Sequence, residues 1–461
     1  MTARTAVVGG GLAGLTAALD LADRGEDVVL LEATRRLGGL AGSFRREGPA
    51  GPLDVDTGQH VFLRCCTAYR ALLDRLGTSA QVTLQDRLAI PVARPPSEVS
   101  RPASAVLRRG GLPAPMHLAG ALSRYRLLSP ADRLRVARGA LALRRIDPAD
   151  PAADRRTFGD WLAGHQQNDR TVDALWNLLG VAALNAPADA ASLALAAMVF
   201  RTALLDDAAA ADIGWSRVPL QRLHGIPGGR CLAAAGADVR LGQRVESVTR
   251  VGRGWLVRTR DGREEHADRV VLAVPPRAAE RLLPPGAVPQ QPGWAVRLGE
   301  VPIVNVHVVY DRPVLASPFL AAVGSPLQWI FDRTGPAGLT GGGQYLAVSL
   351  SAASDVVRRP TAELLQAVLP ALATLLPAAR GATVLDSFVT REPAATFAPA
   401  PGQAALRPPT VTAEAGLVLA GAWTATGWPA TMEGAVRSGL AAAAALDRAR
   451  PRAAVAGRVA A

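Results

Sequence analysis

Apolar positions along this chain follow two rhythms, and each change of rhythm marks an element. Residues 4–8, RTAVV, form a short apolar run that predicts a buried strand. After three glycines, Leu12, Leu15, Leu19 and Ala22 recur at helical spacing until Gly25, which predicts a helix closed by glycine. A second strand is expected at Asp27–Glu32. Residues 237–276 alternate like a β-meander and return through the apolar strand Val270–Val274. Residues 416–446 read as a buried strand, a turn and a long helix.

Two stretches separate these pieces. Residues 76–225 read mainly helical, most clearly at 129–146. There Ser129 suits the N-cap, Pro130 the first helical position, and Asp132 completes a capping box. Residues 279–405 mix strands, VNVHVVY (304–310) and YLAVSLS (345–351), with a helix at 361–376. No internal repeat is evident, and the Ala/Arg-rich tail, 448–461, is expected to fray.

With 461 residues, 49% hydrophobic and 20% charged, the chain has ample material for a core. All 51 basic residues are arginine, and against 39 acids they leave a net charge of +12. Such a surface favours anionic partners, membrane headgroups or nucleic acid. No basic run, zinc-finger spacing or RNA-binding aromatic motif supports nucleic acid. Three cysteines, Cys65, Cys66 and Cys231, cannot build a disulfide framework, which points to a reducing cytoplasm. The early glycines argue against a signal peptide, and no stretch reaches about 18 uninterrupted apolar residues.

The opening turn carries the first chemistry. Gly9, Gly11 and Gly14 stand in G-x-G-x-x-G spacing between strand and helix, and Glu32 closes the second strand. Glycines there allow a tight turn, close approach of backbone to a pyrophosphate and close packing of helix on strand. The helix start, with Leu12 and Ala13, offers unpaired N–H groups to phosphate, and Glu32 is placed to accept hydrogen bonds from ribose hydroxyls. An acid at that position favours NAD or FAD over NADP.

Residues 32–44, EATRRLGGLAGSF, resemble the E-A-x-x-R-x-G-G-R segment of the flavin amine oxidase superfamily, which includes the carotenoid desaturases. The resemblance implies FAD, with Ala33, Gly38, Gly39 and Leu40 along its ribityl and phosphates. Leu40 stands where the family carries arginine. It also implies that Gly58 and Gln59, in DVDTGQHVF (54–62), run along the flavin and that Val245 places backbone against adenine. LAGAWTATGWPATMEGAVRSG (419–439) is similar to a motif of the squalene-associated FAD-dependent desaturases, or hydroxysqualene dehydroxylases. AALNAPADAAS (182–192), REPAATFAPAPG (391–402) and ALRPPTVT (405–412) match the same family, so the resemblance runs from residue 5 to about 445. Ala422 replaces the family's aspartate after Gly421, and Pro429 and Met432 complete this part of the flavin site.

That family implies an α/β fold: a discontinuous Rossmann-like FAD-binding domain (1–75, 226–278 and 406–447) with an inserted mixed α+β substrate domain (76–225 and 279–405). It further implies reduction of hydroxysqualene, a long-chain isoprenoid allylic alcohol, to squalene, with hydride from N5 of reduced flavin. Hydroxide is a poor leaving group, so a general acid is required, and the allylic cation must be kept from water. His60 and Glu433 are the candidate acids. Trp423, Trp428 and Asn185 are candidate walls of the substrate pocket. The other histidines lack metal-ligand spacing, so no metal is expected.

No second strand–glycine–helix unit exists, which leaves flavin reduction to an unidentified electron donor. From Arg101 to Arg145 ten arginines accompany one acid, Asp132, while Leu134, Ala137 and Leu141 share a helix face. This segment is either a solvated basic face or a helix lying on anionic lipid at the inner face of the plasma membrane. Two other functions stay open: a phytoene-type desaturase or amine- or protoporphyrinogen-oxidising flavoenzyme, and a flavin-free isoprenoid carrier of the same shape.

Overall fold

Strands from distant parts of the chain build one parallel sheet, in the order Asp238–Leu241, Asp27–Glu32, Arg4–Val8, Arg269–Leu272 and Leu417–Leu419. The structure, a computed structural model, describes residues 3–96 and 102–448. A parallel sheet is buried on both faces, which explains the unbroken apolar runs that encode it. Val7, Leu30, Val271 and Val418 point toward the helices Leu12–Asp23 and Met432–Arg448, and Gly439 lets these two helices meet at the Ala13 carbonyl. On the opposite face, Val8, Leu31 and Leu272 join the cluster that includes Val245, Val257 and Trp255 of a three-stranded antiparallel meander.

A second sheet has seven strands, ordered Val384–Thr396, Val301–Tyr310, Gln344–Leu350, Trp329–Asp332, Phe319–Ala322, Ala89–Arg94 and Ala103–Arg108. Alternation along its central strands splits the residues between two faces. Val304, Val306, Val308, Leu346, Val348 and Ile330 pack under the helix Thr361–Leu375. On the other face Val309 and Tyr345 pack on Leu53 and Val55, and Phe319, Ala321 and Phe331 join the cluster of the helical region. The stretch 76–225 is mainly helical, as expected, and also carries strands: 89–94 and 103–108 pair with each other, and 89–94 pairs in parallel with 319–322, joining both inserts in one sheet. The expectation missed them because Pro91 and the following Pro-rich segment mask a short edge pairing.

The helix Pro130–Leu143 begins as its sequence requires. Ser129 Oγ accepts the Asp132 amide at 3.2 Å, and Asp132 accepts in return from the Ser129 backbone amide. Arg101 and residues 449–461 lie outside the described residues. Among the described residues, no helix is long and apolar enough to cross a membrane, and no metal-binding cluster occurs.

Candidate functional site

The glycine turn is held by carboxylate and backbone together. Gly9, at φ +106°, lies so close to the Ala273 carbonyl that any Cβ would collide with it. Gly38 N–H donates to the Gly10 carbonyl at 2.8 Å, and a Cβ on Gly39 would sit 3.0 Å from Gly11 Cα. No side chain caps the helix at Gly11, so the first-turn N–H groups, from Leu12 and Ala13 onward, are left for an anion. Gly14 fits this helix against the Gly9 carbonyl. Glu32 does more than the ribose role expected of it: Oε2 accepts Gly10 N–H and Oε1 accepts Thr34 N–H, each at 2.7 Å. Each oxygen keeps a second lone pair for a hydroxyl. Gln243 N–H donates to the Glu32 carbonyl at 2.8 Å, bringing the start of the Val245 strand beside Glu32.

Around this turn, Ala33, Gly39 and Leu40 are exposed. Arg36, which the sequence reading did not single out, donates to the Gly39 carbonyl at 3.0 Å and puts a cation beside the glycine pair. Gly58 and Gln59 follow the strand Leu53–Asp56, and the buried Gln59 Nε2 has no protein partner. Asp56 is a buried hub: it accepts from Ser43 Oγ at 2.6 Å, Leu220 N–H at 3.0 Å and Arg333 Nη2 at 2.6 Å.

The C-terminal turn also has a missed residue. Arg407 is buried and donates to the carbonyls of Ala422 at 3.0 Å and Thr424 at 2.6 Å, and burial lowers its pKa to about 10. A cation therefore holds the turn where Ala422 replaces a carboxylate. Arg407 lay within the noted segment 405–412, but only folding brings it under residues 422–426.

Both candidate acids are engaged elsewhere. Glu433 is 1% exposed; Oε1 accepts Ala68 N–H at 3.1 Å and Arg437 Nε–H at 2.7 Å, and Oε2 accepts Tyr69 N–H at 2.7 Å. The two amide bonds fasten its carboxyl group to the first turn of the helix Thr67–Arg75. His60 Nδ1 lies 2.9 Å from the Gly58 carbonyl, and burial pushes its pKa below the ordinary value. A neutral ring donating from Nδ1 leaves Nε2 as an acceptor, not an acid.

An apolar cavity of about 750 Å³ opens between the helical region and the C-terminal turn. Trp428, Pro429, Met432 and Glu433 lie along its inner wall, joined by Cys65 and Cys66. Trp423 does not line it. Trp423, expected as a wall residue, is buried against Trp294 with ring centroids 5.4 Å apart, and its indole N–H donates to the Val274 carbonyl at 3.0 Å. Asn185 is likewise no wall residue. At φ +59° it closes the helix Leu178–Leu184, with Nδ2 donating to Val301 O and Thr396 Oγ1 and Oδ1 accepting Ala352 N–H. Its motif was legible as a motif, but its task is to join the helical region to the seven-stranded sheet. At the cavity's outer rim, Met116, Leu134 and Leu141 are 57%, 52% and 53% exposed.

A family model described as flavin containing amine oxidoreductase matches residues 12–447. The chain is 31% identical to a hydroxysqualene dehydroxylase of Rhodopseudomonas palustris, over 95% of this chain and 96% of that one. It is 26% identical to a 15-cis-phytoene desaturase of Solanum lycopersicum, over 94% and 76% of the two chains. The fold superposes on a putrescine oxidase at a TM-score of 0.70, with 20% identity, covering 97% and 99% of the two chains.

Proposed function

Because the chain belongs to the flavin containing amine oxidoreductase family, and within it to the hydroxysqualene dehydroxylases, we propose that this FAD-dependent oxidoreductase reductively removes the hydroxyl of hydroxysqualene to give squalene. The residues present fit FAD: an uncapped helix start, the close-packed Gly11–Gly39 cradle and the unpartnered, buried Gln59 Nε2. Gly9, Gly11, Gly14 and Glu32 would hold the pyrophosphate and ribose, Val245 the adenine side, and Gly38, Gly39, Gly58, Gln59, Gly421 and Met432 the flavin side. Reduced flavin supplies a two-electron reductant at this site.

The observation that carries the substrate reading is the 750 Å³ apolar cavity ending on Trp428, Pro429 and Met432. Removing an allylic hydroxyl leaves a carbocation that water would capture, so the wall must be dry. Leu88, Ile90, Trp176, Leu179 and Phe200 form such a wall. Glu433 lines the same space while its oxygens accept from Ala68 N–H, Tyr69 N–H and Arg437 Nε–H. Purified protein, kept anaerobic with a reductant, should convert hydroxysqualene to squalene; conversion only of phytoene with an added acceptor would replace this reading with a desaturase.

Membrane delivery suits a substrate and product of this kind. Met116, Leu134 and Leu141 surround the cavity mouth, beside the exposed Arg124, Arg126, Arg138 and Arg145. This arrangement supports peripheral contact with anionic lipid, leucines inward and arginines at the headgroups. Electrons would come from a separate donor.

A further inference from the structure

Removal of an allylic hydroxyl needs a proton, and the two acids named from the sequence are held by other bonds. The cavity wall narrows the search. Among the described residues, the titratable side chains lining it are Arg133, Glu433, Cys65 and Cys66. Arg133 cannot give up its proton, and its N–H groups go to the Tyr125 and Ser123 carbonyls. Both oxygens of Glu433 already accept N–H bonds. The two thiols remain.

Backbone fixes their position on both sides. The strand Val61–Leu63 pairs with Ile213–Ser216, Cys65 N–H donates to the Ala210 carbonyl at 3.1 Å, and Cys66 N–H donates to the Leu63 carbonyl at 2.9 Å. Cys66 is then the N-cap residue of the helix Thr67–Arg75. Glu433, on the wall with Trp428, Pro429 and Met432, accepts the Ala68 and Tyr69 amides just beyond Cys66. Both cysteines are free and half-buried, and both line the cavity. The Cys66 S–H bonds to Cys65 and pulls the Cys65 pKa below the ordinary thiol value, while that bond and burial raise Cys66 well above it. Glu433, Asp207 and Tyr69 are the other titratable groups that face the pair.

We propose that the Cys65 thiol is the catalytic proton donor to the departing hydroxyl, with Cys66 a positioning residue whose S–H steadies the thiolate left behind. This role rests on the dehydroxylase reading of the cavity. As the C–O bond breaks, its electron pair stays on oxygen, which takes the Cys65 proton and leaves as water. The hydride that reduced flavin supplies forms the new C–H bond, so carbon gains the two electrons that the reductant loses. Cys65 ends as thiolate and regains a proton from solvent after the product leaves. The transfer runs downhill, since water has a pKa of about 15.7 and a thiol about 8.5. A bare thiolate in a dry cavity is costly, and the adjacent S–H gives it a hydrogen bond.

The test uses flavin-loaded protein, kept anaerobic with dithionite and given hydroxysqualene. Cys65→Ser keeps the shape of the thiol but is a far weaker acid, so kcat should fall on the order of 100-fold or more while KM hardly changes. Its flavin bands should stay those of wild type, which separates a lost proton from a lost cofactor. In wild type, squalene should slow alkylation of Cys65 by iodoacetamide, a readout that needs no variant to fold. In Cys66→Ala the ultraviolet absorbance of the Cys65 thiolate should appear at higher pH, with Cys65→Ser as the blank, and Cys66→Ser should restore it. Wild-type kcat in Cys65→Ser, or alkylation indifferent to squalene, would overturn the donor role. An unmoved thiolate titration would overturn the role of Cys66. Wild type that leaves hydroxysqualene unchanged would instead remove the dehydroxylase reading.

Discussion

His224 and His307 carry no charge in the folded protein, and burial is the cause. Burial pushes the pKa of His224 down to about 4 and that of His307 down to about 3. His224 Nδ1 lies 3.0 Å from the Ala41 carbonyl and Nε2 2.7 Å from Tyr69 Oη, a set suited to a neutral ring. Both folded pKa values lie below the unfolded one, near 6.5. Stability is therefore full above about pH 6.5 and falls as pH drops toward 4, because the unfolded chain takes up protons first. Each buried ring should cost on the order of 2–3 kcal/mol by pH 4. Denaturant melts at pH 7 and pH 5 should show the loss, and His224→Gln should flatten part of it; a variant with the wild-type pH slope would refute the assignment. At this scale the glycine spacing and Glu32 were legible because the strand–turn–helix unit they build is local, with Glu32 bonded to Gly10 and Thr34. Glu433 was not, since the amides it binds are 365 and 364 positions away.

The helix Pro130–Leu143 was readable down to its capping box, because caps are local. Which of its faces is solvent-exposed was not readable, since leucines and arginines around a helix suit either a core or a membrane surface. Folding buries Val136, Gly139 and Leu143 and leaves Leu134 and Leu141 out at the cavity rim. Arg133 donates to the Tyr125 and Ser123 carbonyls, and Arg135 to Asp132, so reversing those charges would also disturb local structure. The cleaner probe is Leu134→Ser with Leu141→Ser. Binding to phosphatidylglycerol vesicles should weaken about tenfold, and thermal stability should barely move. Unchanged co-sedimentation would remove this helix from the membrane face.

At the proposed site FAD would bridge pieces of chain that are far apart: the turn after Val8, the loop after Asp56, the strand from Val245 and the turn from Gly421. A ligand that binds only the folded form stabilises it by mass action, about 2.7 kcal/mol at a hundredfold excess over Kd. Stripping FAD should therefore lower the melting temperature by several degrees, and adding it back should restore the difference. Identical melting with and without FAD would contradict a cofactor held by so many segments. The buried Arg333–Asp56 pair, 2.6 Å apart, and Arg46–Asp386, 2.5 Å apart, join distant segments of the chain as well. Neither pairing carries a sequence signature, because each unites side chains hundreds of positions apart.

What the sequence determined by itself was whatever depends on neighbours along the chain: the strand–turn–helix unit, its glycine spacing, the caps, the alternation of strands and the family-like segments that imply FAD. Tertiary structure decided everything that depends on neighbours across space. It withdrew Trp423 and Asn185 from the cavity, gave Glu433 and His60 their hydrogen-bonding partners, and placed Arg407 under Ala422. The physical reason is that a side chain's chemistry is set by what surrounds it. In a fold built from interleaved segments, those surroundings are assembled from residues that the chain itself keeps far apart.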